Sequence, residues 1–279
     1  MTTSMRHICD TQVAWSSTIL RDPRRSDYAA TLGENLFLNA LRPQTEAEFQ
    51  HADGAELQDG TTRPAKMRAL ISSSALAVNF FDAWRDASSA VLGRALGVET
   101  PVVSLRFEYK PENYPVGPGS PNLDLLLTLA GGHRVAIESK FAEPFRSPGD
   151  DALLSPKYFP AQSRLWDIAG LPRAQQLAGQ LSARWEYLDA AQLLKHMLGL
   201  ANDGEIPCTL LYLWYDTGLP DAAAHRSEIT RFADLIAGDR IAFRARTYQE
   251  AYDAILDRDQ PVDGWYEYMK ARYFDATTV

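Results

Sequence analysis

Three side chains in two short apolar segments have the types and spacing needed for metal-dependent chemistry. Asp124 interrupts the apolar run NLDLLLTLA, and Glu138 and Lys140 lie two residues apart in VAIESKF. Both runs have the composition of strands, and the Gly-Gly pair between them predicts a β-hairpin. Because strand side chains alternate between faces, Glu138 and Lys140 share one face, and pairing of the two strands brings Asp124 to the same side. The register of this pairing does not follow from the sequence.

This set of side chains suits Mg²⁺, which takes hard oxygen ligands, usually one or two carboxylates together with water and phosphate. Asp124 and Glu138 would supply the carboxylates, and the backbone carbonyl of Ser139 is a further candidate ligand. The metal would activate a water molecule and offset charge on a phosphate group. Lys140 would position that water or stabilise the charge of the transition state. Glu108, in the preceding predicted strand RFEYK, is a candidate for another ligand or for orienting metal-bound water.

A simpler interpretation explains the same spacing. Two strands with polar faces could form the solvated side of an antiparallel sheet, where a Glu–Lys pair contributes little. Spacing alone favours this view, but the context argues against it. Asp124 breaks an otherwise apolar run, and Glu138 and Lys140 follow Val-Ala-Ile inside a strand. Charge in such a position is disfavoured unless it is paired or used.

The elements that would position these residues follow from hydrophobic periodicity. Leu76, Phe80 and Trp84 recur at helical spacing in the segment 66–84, and Ser72, Ser73 or Ser74 is suited to cap this helix. Further helices are predicted over 34–41, 86–96, 172–200, about 223–237 and near 249–257. Strands are predicted over 101–110, 122–130, 133–143, 208–216 and the segment IAFRARTY. Residues 1–30 read as irregular, and 42–65, 111–122 and 144–171 as loops.

Composition narrows the class of protein. The chain has 279 residues, of which 46% are hydrophobic and 23% charged, as in ordinary globular proteins. Two cysteines exclude a disulfide framework and a cysteine-rich zinc module. The N-terminus lacks an apolar signal segment and no run is long enough to cross a bilayer, so a cytoplasmic protein without a membrane partner is expected. The five histidines, His7, His51, His133, His196 and His225, have no metal-ligand spacing.

The net charge of −8 argues against nucleic-acid binding through overall charge. Contacts with phosphate would therefore need a locally basic surface. The cations closest in sequence to the acidic motif are the candidates for that surface: Arg106, Lys110, Arg134, Lys157, Arg164 and Arg173. The loop 111–122 leads directly into Asp124 and is expected to reach toward a substrate.

The motif Asp124-x13-Glu138-Ser-Lys140 and the order of elements around it resemble the PD-(D/E)XK nuclease superfamily. More narrowly, the segments SSSALAVNFFDAW, RFEYK, NLDLLL and VAIESKFAE resemble, in that order, a family of bacterial restriction endonucleases. The resemblance covers about residues 66–216. It implies a mixed α/β fold with a restriction-endonuclease-like core, in which a central mixed sheet is flanked by helices. Residues 1–65 would then form an N-terminal extension with loops and a short helix, and 66–279 the nuclease domain. The Pro-Asp pair of the superfamily is absent, since Leu123 precedes Asp124.

The resemblance also assigns roles. It implies that Asp124, Glu138 and Lys140 are catalytic, with Mg²⁺ as cofactor and Mn²⁺ as a substitute. Glu143 enters as a supporting group, although a cap for the next turn or a surface position is the favoured interpretation. Gln176 and Gln180 enter as polar helical residues near the metal, although a solvated helix face is an equal alternative. DNA is the expected partner, and a homodimer is expected by analogy.

These observations favour a metal-dependent endonuclease that hydrolyses DNA phosphodiester bonds, in a restriction or defence role. An alternative keeps the fold but assigns a catalytically inactive module for binding nucleic acid or protein. A third alternative is a nuclease for RNA or repair intermediates. The motif does not separate these substrates, because the catalytic strands do not encode them.

Overall fold

A computed structural model describes residues 1–52, 55–86, 89–117, 120–146, 153–159, 164–181 and 185–275. In chain order the strands are β1 Arg21–Asp22, β2 Arg25–Ala29, β3 Val102–Tyr109, β4 Leu123–Leu129, β5 Arg134–Lys140, β6 Cys208–Trp214 and β7 Ala242–Thr247. The α-helices are α1 Thr3–Trp15, α2 Pro43–His51, α3 Ser73–Phe81, α4 Ala90–Ala95, α5 Leu165–Ile168, α6 Pro172–Gly179, α7 Ala190–Asn202, α8 Pro220–Ile236, α9 Tyr248–Asp253 and α10 Trp265–Met269.

A five-stranded sheet in the order β3-β4-β5-β6-β7 organises the fold. β3, β4 and β5 pair antiparallel, whereas β5, β6 and β7 pair parallel. The predicted hairpin between β4 and β5 is present, and both turn glycines adopt the left-handed conformation, with φ of 94° at Gly131 and 88° at Gly132. The mixed sheet flanked by helices confirms the predicted fold class.

Helices cover both faces of this sheet. On one face, His196 of α7 lies next to Glu138, and His225 of α8 lies next to Tyr212, which pairs with Glu138 in the register of β5 and β6. On the other face, Ser139 contacts Tyr248 at the start of α9. α3 also packs against β5. The apolar strand β6 is buried along its whole length, as a central strand between two helical layers must be.

The N-terminal third has more regular structure than the sequence predicts. The segment 1–30 contains α1 and the β1–β2 hairpin, and α2 lies within the predicted loop 42–65, while the predicted helix 34–41 is only a 3-10 turn over Gly33–Asn35. α1 escapes prediction because its buried residues, Ser4, Ile8 and Gln12, follow helical spacing but two of them are polar. The partners of these polar residues are distant in sequence. The burial of this helix face therefore depends on tertiary contacts, which a local sequence pattern does not show.

The predicted helix 172–200 is wrong as a single element. It is two helices, α6 and α7, with residues 182–184 outside the described part of the chain. The interruption is stabilised by side chains: the Glu228 carboxylate accepts hydrogen bonds from three backbone N–H groups over 186–188. Asp189 then caps α7 by accepting from the Gln192 N–H at 2.8 Å. The break turns α7 into an independent helix that lies on the site face of the sheet.

The helix predicted over 66–84 begins later, at Ser73, because Ser72 caps it by accepting from the Ala75 N–H at 3.2 Å. Asn79, on this helix, is 2% exposed. It donates to the Asn35 carbonyl and to the Tyr273 hydroxyl. This helix therefore joins the N-terminal and C-terminal segments, and its polar residue serves the core.

Residues 1–65 pack against the rest of the protein. Arg272, near the C-terminus, is 1% exposed and donates to the Gln12 side chain and to both the carbonyl and the side chain of Asn35. The predicted division at residue 65 stays a prediction. Within the described residues, no helix has the length and apolar character required to cross a bilayer.

Candidate metal centre

Three carboxylate residues lie side by side across β3, β4 and β5. The register pairs Phe107 with Leu125 and Tyr109 with Leu123, so that Glu108 lies opposite Asp124. The register also pairs Leu125 with Ile137. Because β4 and β5 are antiparallel, the residue before Leu125, Asp124, lies opposite the residue after Ile137, Glu138. We call Glu108, Asp124 and Glu138 the acidic row. Neighbouring strands are about 4.8 Å apart, and the predicted convergence on one face is therefore present.

Glu138 forms the centre of an ionic cluster. Its Oε1 lies 2.6 Å from Lys140 Nζ, and its Oε2 lies 2.9 Å from His196 Nε2. The glutamate side chain is 2% exposed and that of Lys140 16% exposed. Lys140 Nζ also donates to Gln192 Oε1 at 2.9 Å. The lysine is thus held between a strand neighbour and the covering helix, with part of its surface open to solvent.

The charges of this cluster follow from its burial and its cations. Burial alone would raise the pKa of Glu138, but the charges of Lys140 and His196 and their contacts outweigh it and lower that pKa to about 2. Burial works against the charged form of Lys140, yet the carboxylates of Glu138 and Asp124 raise its pKa above the ordinary value. Glu138 and Lys140 are therefore an ion pair at neutral pH.

Asp124 is in a different electrostatic position. Burial and the neighbouring Glu138 raise its pKa well above the ordinary value, and the charge of Lys140 only partly opposes this. Its Oδ2 accepts a hydrogen bond from the Ser139 N–H at 2.7 Å. Two close carboxylates resist simultaneous ionisation, and a cation between them would remove that resistance.

Glu108 has an unusual backbone conformation. Its φ of 50° lies in the left-handed region, which is uncommon for residues other than glycine. Its side chain accepts from Asn122 Nδ2 at 3.3 Å. Burial, together with the charges of Glu56 and Glu138, raises its pKa to about 7. Strained residues cluster at functional sites, which supports a role for Glu108 beside the predicted Asp124 and Glu138.

The raised pKa of Glu108 predicts a pH-dependent stability. An acid whose folded pKa exceeds its unfolded value binds more protons when folded, so stability falls as pH rises between the two values. Here that interval runs from 4.5 to about 7. In EDTA, we expect Glu108→Gln to gain about 1–3 kcal/mol relative to wild type between pH 5 and pH 8. Urea unfolding at both pH values measures this. The exposed Glu99→Gln is the control, and an equal response of the two variants would contradict the prediction.

Two site residues, His196 and Gln192, escape the sequence analysis. They lie four residues apart on α7 and therefore on one helix face, where both contact the β5 motif. Gln176 and Gln180, which were candidates for this position, are exposed on and just after α6. The spacing Gln-x3-His was visible, but a polar pair on an amphipathic helix is too common to single out. Only the break between α6 and α7 puts this pair over the strand.

The remaining predicted residues have structural contacts. Glu143 accepts from the Phe141 N–H at 3.0 Å, so its carboxylate caps the turn that follows β5. The Ser139 hydroxyl hydrogen-bonds the Tyr248 hydroxyl at 2.6 Å on the opposite face of the sheet. The role of the Ser139 carbonyl as a ligand stays a prediction.

Arg134 is not a candidate phosphate contact. It is 8% exposed, and its Nη1 lies 2.8 Å from Asp203 Oδ2. Asp203 also accepts from the Tyr109 hydroxyl and, through Oδ1, from the Glu112 N–H at 3.1 Å. This Asp203 cluster joins β3, β5, the end of α7 and the loop that precedes Asp124. The loop, expected to reach toward a substrate, packs in part on α7, where Pro111 and Tyr114 lie against Gly199.

The acidic row provides the right donors for a hard divalent cation. Among the described residues, no three His, Cys, Asp or Glu side chains already stand in a metal-binding arrangement. The donors are nevertheless suitable: the buried Glu138 carboxylate contacts the nitrogens of Lys140 and His196, and Asp124 and then Glu108 follow it on the next two strands. A bound cation would take the place of the Lys140 ammonium group at Glu138, so that one positive charge would be exchanged for another.

The five-stranded mixed sheet with its flanking helices defines a restriction-endonuclease-like core. The family model described as "Restriction Endonuclease associating with ARP" matches residues 12–274, and the chain belongs to this family. The match includes most of the N-terminal segment, which the resemblance over residues 66–216 did not cover. No curated protein and no solved structure matches the chain.

Proposed function

We propose that this protein is a metal-dependent endonuclease that hydrolyses phosphodiester bonds of DNA, with Mg²⁺ as the cofactor and Mn²⁺ as a substitute. The observation that carries the proposal is the alignment of Glu108, Asp124 and Glu138 on adjacent strands, with Lys140 in contact with Glu138. Family membership supports the nuclease class. Because the chain as a whole is acidic, DNA would have to be bound by locally basic surfaces.

The proposed roles follow from the contacts. Asp124 and Glu138 would hold the cation, with Glu108 and the Ser139 carbonyl as further ligands. When bound there, such a cation would supply activation of water and neutralisation of charge on the phosphate. Lys140, once released from Glu138, presents its ammonium group to the attacking water or to the phosphate oxygens. Gln192 fixes the position of that ammonium group, and the His196 ring contacts the other oxygen of Glu138 at 2.9 Å and holds the carboxylate in place.

Cleavage and metal binding together test the proposal. We expect wild-type protein to cleave duplex DNA only when Mg²⁺ or Mn²⁺ is added, and calorimetry to detect binding of the metal. Asp124→Ala should lose both properties, because it removes a ligand from the centre of the acidic row. Asp234→Ala, which removes an exposed aspartate of α8, should lose neither.

The two measurements distinguish the competing functions. Metal binding without cleavage of DNA, but with cleavage of RNA or of branched substrates, would reassign the substrate. Absence of metal binding in the wild type would overturn the proposal and favour an inactive module that binds nucleic acid or protein.

A further inference from the structure

A second recess lies on the opposite face of the sheet, at the edge strand β7. Its volume is about 300 Å³, and its lining includes Leu96, Gly97, Arg244, Arg246 and Glu250. The register pairs Ala245 with Tyr212 and Tyr212 with Glu138, whereas Arg246 pairs with Leu213. Arg244 and Arg246 therefore point away from the acidic row. We call this recess the β7 cavity.

The β7 cavity contains two guanidinium groups that have no acidic partner among the described residues. Arg244 Nη1 donates to the Gly97 carbonyl and Arg246 Nη2 to the Glu250 carbonyl, each at 3.2 Å. A guanidinium has five N–H donors. In the part of the chain that the structure describes, neither arginine makes a salt bridge. Arg246 Nε is buried and makes no hydrogen bond.

The one carboxylate in the lining has another role. Glu250 accepts from the Thr247 N–H at 2.8 Å and forms the capping box that starts α9. Its charge is directed to the backbone, so the cavity has an excess of positive charge in a protein whose net charge is −8. Burial, and to a smaller extent the charge of Arg244, lowers the pKa of His133.

Gly97 keeps the space beside these arginines open. Its φ is 73°, and a Cβ there would lie 2.9 Å from Arg246 Nη1. The left-handed turn favours glycine at this position, and the short distance shows that the Arg246 guanidinium lies directly beside it. The Gly97 and Glu250 carbonyls thus each accept a hydrogen bond from one of the two guanidinium groups at the recess.

We propose that the β7 cavity binds a phosphate group through Arg244 and Arg246. Planar guanidinium groups match phosphate oxygens in a two-point geometry, and two of them match the charge of a phosphate dianion. The volume lies at the lower end of the range for small-ligand sites, which suits a ligand of nucleotide size. The phosphate can belong to a free nucleotide or to a nucleic-acid backbone, and the two sources differ in what else they contact.

Calorimetry of the full chain in EDTA tests this proposal without any contribution from a metal at the acidic row. The probes are inorganic phosphate, a nucleoside 5′-monophosphate and a short duplex oligonucleotide. We expect saturable binding to the wild-type protein. The dissociation constant should be at least about 10-fold larger in Arg246→Gln and in Arg244→Gln than in the wild type. Arg258→Gln, which removes an exposed arginine and the same charge, should bind as wild type does.

The outcomes separate the sources of phosphate. Tighter binding of the mononucleotide than of the duplex identifies a small-ligand site, whereas preference for the duplex with a steep salt dependence identifies a backbone contact. Unfolding midpoints without ligand check that the variants are folded, and the exposed Arg244 keeps the test valid if Arg246→Gln is unstable. Absence of binding by all three probes, or binding that neither arginine variant weakens, would overturn the proposal. Because no metal is present, these results do not depend on nuclease activity.

Discussion

Lys140→Ala is expected to reduce metal-dependent DNA cleavage by on the order of 10²–10³-fold or more, because it removes a positive charge positioned for the transition state. Metal binding should remain and become tighter, since Lys140 Nζ no longer competes for Glu138 Oε1, from which it lies 2.6 Å away. Single-turnover cleavage rates and calorimetry measure the two effects separately. The pair of measurements distinguishes a catalytic group from a metal ligand. Lys140→Ala should lose cleavage but keep metal binding, whereas Asp124→Ala should lose both.

Lys270→Ala provides the matched control, because this lysine is exposed and lies near the C-terminus. Lys140→Met retains most of the side-chain volume, and it should be as inactive as Lys140→Ala. Circular dichroism of each variant verifies the fold. Full cleavage activity in Lys140→Ala would mean that the ammonium group serves only the stability of Glu138, and the assignment of roles would be wrong.

Asp203→Ala is expected to lower the free energy of unfolding by about 3–5 kcal/mol, the cost of leaving a buried partner uncompensated. Arg134 is 8% exposed and would lose its carboxylate, and the Tyr109 hydroxyl and the Glu112 N–H would lose an acceptor. Urea unfolding measures the change. The same cluster anchors the loop before Asp124, so cleavage should fall even at temperatures where the variant is folded.

Two further variants test this explanation. Asp234→Ala, on the exposed side of α8, should change stability by less than about 0.5 kcal/mol. Arg134→Met combined with Asp203→Ala should be more stable than Asp203→Ala alone, because the buried charge is removed. If Asp203→Ala lowers the free energy of unfolding by less than about 1 kcal/mol, the prediction is wrong. Water would then satisfy the groups that the Asp203 carboxylate contacts.

The strands and the acidic row were predictable because they depend on local patterns. β3 to β7 lie within the five predicted strands, and alternation of side chains along β4 and β5 put Asp124, Glu138 and Lys140 on one face. The buried Cys208, 5% exposed, also agrees with its apolar context. The register of the hairpin did not follow from the sequence, but a shift by one residue would exchange the two faces of a strand, and the structure shows the register that puts these residues together.

The N-terminal elements and the roles of α7 were not predictable in the same way. α1 buries polar residues whose partners, such as Arg272 for Gln12, are far away in the chain. His196 and Gln192 contact β5 only because Glu228 and Asp189 interrupt the helix predicted over 172–200. Asp189 is a local cap of α7, but Glu228 comes from α8, and a group from another element carries no local signal.

The amino-acid sequence by itself determined which side chains share a face of the central strands, because strand alternation and turn chemistry are local properties of the backbone. It also determined the central strands and the acidic motif. Only the tertiary structure decided that His196 and Lys140 both contact Glu138, that Arg134 is a core residue, and that Arg244 and Arg246 line a cavity on the other face. Those outcomes depend on electrostatic and packing contacts between distant segments, and such contacts exist only once the chain has folded.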